Sequence, residues 1–160
     1  MTGRYVSSRY VQGVGEEILN SSSFQQGAYQ KHHLRSTLGS HSYRVACVCA
    51  FLCDRLAQLG IHTEKRDLVK AALCHDLGMI GRYEERYASG RECLTKHPIN
   101  SREEAARLIG ELSEMQAEAI EKHMWPLCDG LSIRHKETVI IGIADKISAV
   151  ADFVRGSRDF

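Results

Sequence analysis

Asp145 stands in the run Val139-Ile-Ile-Gly-Ile-Ala-Asp145, a carboxylate inside an apolar stretch. A buried carboxylate without a partner costs several kcal/mol, so this one needs an exposed face or a strong counter-charge, and a metal ion supplies the latter. Imidazoles are available to complete such a site. Of the eight histidines, His41, His75, His97 and His123 are spread along the chain, His75 is followed by Asp76, and Asp145 closes the series. Four imidazoles and two carboxylates suit first-row ions such as Fe, Mn, Zn, Co or Ni better than Ca or Mg. Six donors exceed the need of one ion. Two ions sharing one carboxylate would use them all and leave open positions for water or substrate.

The elements that must gather these donors read as helices. With only two prolines and apolar residues recurring at spacings of three and four, the chain is expected to be all-α, a compact single-domain helical bundle. A first helix is read over residues 9–20, followed by a polar segment with Lys31, His32 and His33. A second follows Ser40, with Val45, Val48, Leu52, Leu56 and Leu59 on its apolar face and Gly60 as its left-handed stop. Thr63 is read as the cap of a third, which carries Leu68, Ala71, Ala72 and His75 on one stripe and ends at Gly78. Residues 79–96 read as a long exposed connection, and Pro98 as the start of a helix reaching Gly110. Ser113 and Gln116 form a capping box that opens a helix ending near His123, before Trp125-Pro126. The last helix spans about 136–154, with Val139, Ile143, Ile147, Val150 and Val154 as its buried stripe. The six cysteines read as reduced, buried thiols, four of them inside helical patterns.

The ordered set resembles the HD-domain metal-dependent phosphohydrolase superfamily. His41 in Ser40-His-Ser-Tyr-Arg, His75-Asp76 in Leu73-Cys-His-Asp-Leu-Gly78, and Asp145 in Ile143-Ala-Asp-Lys-Ile147 match its pattern. His97 in Lys96-His-Pro98 and His123 in Lys122-His-Met-Trp-Pro126 are similar to the extra histidines of its two-metal branch. The likeness covers residues 40–155, the expected core of one domain over 1–160, with 1–39 as an N-terminal helix and loop. It implies that His41, His75, Asp76 and Asp145 hold one ion, and that His97, His123 and a bridging Asp76 hold the second. It also implies a cofactor of two divalent transition-metal ions, Fe or Mn foremost, with Zn, Co, Ni or Mg as alternatives. A metal-bridging hydroxide would attack phosphorus, with Asp76 as the catalytic carboxylate. Lowering a water pKa from about 15.7 towards about 7 is worth about 12 kcal/mol to the ionised form. Two departures are plain: Met79 replaces the lysine that follows His-Asp-x-Gly in some subgroups, and the Gly-Tyr-Pro signature of the cyclic-di-GMP subgroup is absent.

Substrate contacts are expected at Arg44, one turn after His41, at Lys146, and at His32 and His33 near the entrance. Arg82, Arg86 and Arg91 read as solvated loop charges, and His62 and His135 as surface residues. The balance of 21 basic and 20 acidic side chains argues against a nucleic-acid polymer or an acidic membrane surface as partner. No apolar run is long enough for a membrane span, and a cytoplasmic location is expected. The expected partner is a small phosphorylated molecule, a nucleotide first. A mixed-valent di-iron oxygenase of the same superfamily and a non-catalytic nucleotide sensor are the alternatives.

Overall fold

A computed structural model describes residues 2–32, 36–126 and 132–156. The order is α1 (Thr2–Val14), α2 (Glu16–Leu19), α3 (Ser22–Tyr29), α4 (Leu38–Gln58), α5 (Lys65–Cys74), a 3-10 turn (Leu77–Met79), α6 (Gly90–Ile109), α7 (Glu114–Glu121) and α8 (Lys136–Gly156). The protein is an all-α bundle. Among the described residues no strand forms, and the one β-type pairing is an isolated bridge between Lys31 and Thr37. No helix there is long and apolar enough to cross a membrane.

The central helix is α4, which packs on α1, α3, α5 and α8, while α6 lies against the 3-10 turn and α7. Its start is fixed by a reciprocal capping box: Ser40 N donates to Thr37 Oγ1 at 3.2 Å and Thr37 N donates to Ser40 Oγ at 3.0 Å. The helix therefore begins at Leu38, ahead of the expected start, which puts His41 at the end of its first turn. Gly60, with φ +78, supplies the left-handed stop that the sequence implies.

Of the other boundaries that differ from the sequence reading, three bear on the packing. The first helix begins at Thr2 and breaks at Gly15, where a side chain would collide with Leu73 of α5. Helix α6 starts at Gly90, capped by Ser89 Oγ, which accepts from Glu92 N at 3.1 Å. Pro98 thus lies inside the helix, where it removes the donor owed to the Leu94 carbonyl. Third, Thr63 does not cap α5. The N–H of Glu64 is instead taken by Glu137 Oε1 of α8 at 3.0 Å.

A second carboxylate ties α8 to α7. Glu118 Oε1 accepts from Arg134 N at 3.0 Å, His135 N at 3.0 Å and Thr138 Oγ1 at 2.8 Å, at the positive end of α8. Burial works against its charge, but these donors win and hold the carboxyl down at about 2. The folded value lies below the ordinary 4.5, so this stabilisation is complete above about pH 4.5 and is lost as pH falls towards 2. Glu118→Gln is expected to cost about 1–3 kcal/mol at neutral pH. Thermal melts should show the gap to wild type shrinking below pH 4.5 and nearly closed at pH 2; a pH-independent gap would contradict the assignment.

The core mixes aliphatic residues such as Leu68, Leu73, Ile120 and Ile141 with buried polar groups: His41, His75, Asp76, His97, His123 and Asp152. On α8 the expected stripe faces outward, with Ile143, Ile147, Val150 and Val154 exposed. Ile141, Ala144, Ser148 and Asp152 face inward instead. The helix is turned this way because Asp145 and Asp152, seven residues apart and so on one face, both meet His41. On α4 many of the buried residues are small, Ala46, Cys49, Ala50 and Cys53 among them, with Leu56 half-buried and Leu59 exposed. Cys47, Cys49, Cys53, Cys74 and Cys93 are reduced, and Cys128 lies outside the described residues.

Candidate metal centre

All six expected donors converge, from five different segments. His41 comes from the first turn of α4, His75 caps the C-terminus of α5, and Asp76 precedes the 3-10 turn. His97 lies within α6, His123 just beyond α7, and Asp145 in α8. His97 is thus mid-helix rather than ahead of a helix as the sequence reading had it. His75, Asp76, His97 and His123 are at most 3% exposed.

Each imidazole is oriented through its outer nitrogen. Nδ1 of His75 meets Ala72 O at 2.7 Å, Nδ1 of His97 meets Cys93 O at 2.9 Å, and Nδ1 of His123 meets Ile120 O at 2.7 Å. A carbonyl only accepts, so each Nδ1 carries the proton and each Nε2 turns a lone pair inward. In the fourth, His41, the outer nitrogen meets a carboxylate: Nδ1 lies 3.0 Å from Asp152 Oδ2, and Asp152 Oδ1 pairs with Arg44. An outer partner on every imidazole is the usual arrangement around metal-binding histidines.

The inward atoms crowd together. His97 Nε2 and His123 Nε2 are 3.2 Å apart, and Asp76 Oδ1 is 3.4 Å from the first and 3.5 Å from the second. Three acceptors facing one another with their protons committed elsewhere repel, and a cation among them removes the conflict. The other oxygen, Asp76 Oδ2, is 3.3 Å from His75 Nε2, a buried atom with no hydrogen-bond partner. Asp145 Oδ1 lies 2.9 Å from His41 Nε2 and 3.8 Å from His75 Nε2. His41, His75 and Asp145 offer donor atoms within 4.8 Å of one another, as do His75, Asp76 and His123. The donors fit a divalent metal, and Asp76 turns one oxygen to each group of imidazoles.

The electrostatics agree. Burial would raise the Asp76 carboxyl, yet His75, His123 and His97 hold it well below the usual carboxylate range. Burial likewise opposes ionisation of Asp145, and His41 and His75 overcome it. His75 is disfavoured as a cation by burial but pushed up to about 10 by Asp76 and Asp145, whereas burial pulls His123 down. The pocket holds negative charge ready for a cation.

The 3-10 turn seats Asp76 against α6. Gly78 N donates to Ser101 Oγ at 2.8 Å, and a Cβ on Gly78 would lie 2.3 Å from His97 O. Gly78→Ala must therefore push the turn off α6, with an expected loss of about 1–3 kcal/mol. It should also weaken metal binding at His97 and His123. Unchanged thermal stability in a melt would contradict this packing.

The expected substrate contacts are placed differently from one another. Arg44 pairs with Asp152, which in turn meets the outer nitrogen of His41. Lys146 donates from Nζ to Gly142 O at 3.1 Å and sits half-buried beside Asp145. His32 reaches the centre, its Nε2 3.5 Å from Asp76 Oδ2, while His33 lies outside the described residues. Arg82 donates to His32 O at 2.8 Å, and His135 stands 3.4 Å from Glu118. Asp152 was not read from the sequence as a site residue. Its signal is the seven-residue step from Asp145, which repeats a carboxylate two turns along the same face.

Residues 38–150, more than half of the chain, match the family model described as HD domain. The protein belongs to the HD-domain family, which fits both its all-α architecture and a His/Asp cluster able to hold divalent metal. No curated protein and no solved structure matches the chain.

Proposed function

We propose that this protein is a metal-dependent phosphohydrolase of the two-metal kind, acting on a small phosphorylated molecule, a nucleotide foremost. The observation that carries this reading is the cluster of Asp76 Oδ1, His97 Nε2 and His123 Nε2, acceptors within 3.5 Å of one another. His41, His75, Asp76 and Asp145 would hold one ion, and His97, His123 and Asp76 the other. Divalent ions of the Fe or Mn type, with Zn, Co, Ni or Mg as alternatives, supply ionised water at neutral pH and positive charge for phosphoryl oxygens.

The chain's own residues do the positioning. Asp76 presents one oxygen to each half and so fixes their separation. The Ala72, Cys93 and Ile120 carbonyls and the Asp152 carboxylate lock the imidazole rings, so no reorganisation is needed when charge develops. Asp145 has 16% side-chain exposure against 5% or less for His41, His75, Asp76, His97 and His123, which makes the α8 side the approach for substrate. Lys146, next in the chain, is the cation we assign to the phosphate. The near-zero net charge of +1 favours recognition of a small anion over a polymer.

The test is anaerobic reconstitution with each candidate ion, followed by a panel of nucleotides and phosphomonoesters scored for phosphate release and oxygen uptake. Metal-dependent phosphate release is the expected result. Oxygen consumption without phosphate release would replace this reading with the di-iron oxygenase, and tight nucleotide binding without product would replace it with a sensor.

A further inference from the structure

We infer that His32 is a seventh donor, adding a fifth protein ligand to the ion position shared by His41, His75, Asp76 and Asp145. The inference rests on the two-metal reading above and goes beyond it, because His32 lies outside the residues 38–150 that match the family. Its Nε2 is 3.5 Å from Asp76 Oδ2, close to the 3.3 Å at which His75 Nε2 stands from the same oxygen. His32, His41 and Asp76 offer donor atoms within 4.8 Å of one another. The His32 ring lies 4.7 Å from that of His41, and its side chain is 6% exposed. An imidazole so enclosed, beside a carboxylate and another imidazole, has the surroundings of the four donors already assigned.

The connection that carries it is built to hold it there. His32 N donates to Ser36 O at 2.9 Å, and Leu38 N donates to Gln30 O at 2.9 Å, closing the connection on itself. Gln30 then clamps it to the segment after the His75-Asp76 pair: Nε2 donates to Met79 O at 2.8 Å, and Oε1 accepts from Gly81 N at 2.8 Å. Arg82 completes the clamp by donating to His32 O at 2.8 Å. Three side-chain hydrogen bonds thus pin the backbone on either side of one imidazole to the strip of chain that presents Asp76.

The consequence is asymmetry. Five protein donors nearly fill an octahedral ion, whereas His97, His123 and Asp76 leave a second ion about half open. The first position then binds metal more tightly than the second.

The test uses the full chain loaded with Co(II), in which each ligating imidazole gives one exchangeable, strongly shifted N–H proton resonance. Wild type is expected to show five, and His32→Ala four, with two cobalt ions retained and the tighter binding phase weakened about tenfold or more. Four resonances in wild type, or unchanged affinity in the variant, would remove His32 from the ligand set while leaving the two-metal reading intact. Fewer than two cobalt ions in wild type would overturn both. The wild-type count decides the matter even where the variant fails to fold.

Discussion

Asp76→Asn is expected to lower metal content from two ions per chain to at most one, and metal-dependent phosphate release by at least about a thousandfold. The effect is large because Asp76 serves both halves of the centre. Oδ2 stands 3.3 Å from His75 Nε2, and Oδ1 stands 3.4 Å and 3.5 Å from the Nε2 atoms of His97 and His123. Asparagine keeps the shape but presents an amide N–H₂ to one half, where a donor meets either a cation or a lone pair already spoken for. Metal analysis by mass spectrometry, together with phosphate release, reads both effects. Unchanged stoichiometry would show that Asp76 is a buried ion-pair residue only.

Asp152→Asn should produce the next largest effect through a different route. Asp152 Oδ2 is 3.0 Å from His41 Nδ1, its other oxygen pairs with Arg44, and its side chain is 1% exposed. Breaking a buried pair of this kind costs about 3–5 kcal/mol, and Arg44, which is 24% exposed, sets the lower end because water can take up part of its charge. The imidazole also loses the carboxylate that holds its ring in place, so metal affinity at the His41 position should fall about tenfold to a hundredfold. Chemical unfolding and metal competition measure these separately. Lost stability with unaltered metal affinity would mean that Asp152 supports only the helix contact.

How the site was legible follows from what kind of signal each residue carries. The donors were readable because their types and order are chemical facts independent of helix register: four histidines, one directly before an aspartate, and a last aspartate among isoleucines. Helix starts marked by side-chain caps were also readable, as at Ser113 and Gln116, where the box closes as expected. The start of α6 was missed although Ser89 and Glu92 carry the same spacing, because Pro98 offered a competing signal for a first helical position.

Helix orientation was the poorest reading, for a physical reason. Ile143, Ile147, Val150 and Val154 form the bulkier face of α8, and periodicity alone would bury it. The helix instead turns inward the face that carries Asp145, Ser148 and Asp152, since an unpaired buried charge costs more than an exposed isoleucine. The inward face of α8 is itself small where it carries these groups, at Ala144 and Ser148, and His41 touches both aspartates there. The carboxylate clamps at Glu118 and Glu137 were equally out of reach of local patterns, because each caps a helix from another part of the chain.

The most direct test of the centre is the number of Mn(II) or Fe(II) ions bound per chain after anaerobic loading, counted in wild type and in His97→Ala. The account predicts two ions in the wild type and one in the variant, which keeps His41, His75, Asp76 and Asp145. A wild type that binds none, or a variant that binds as many as the wild type, would contradict it.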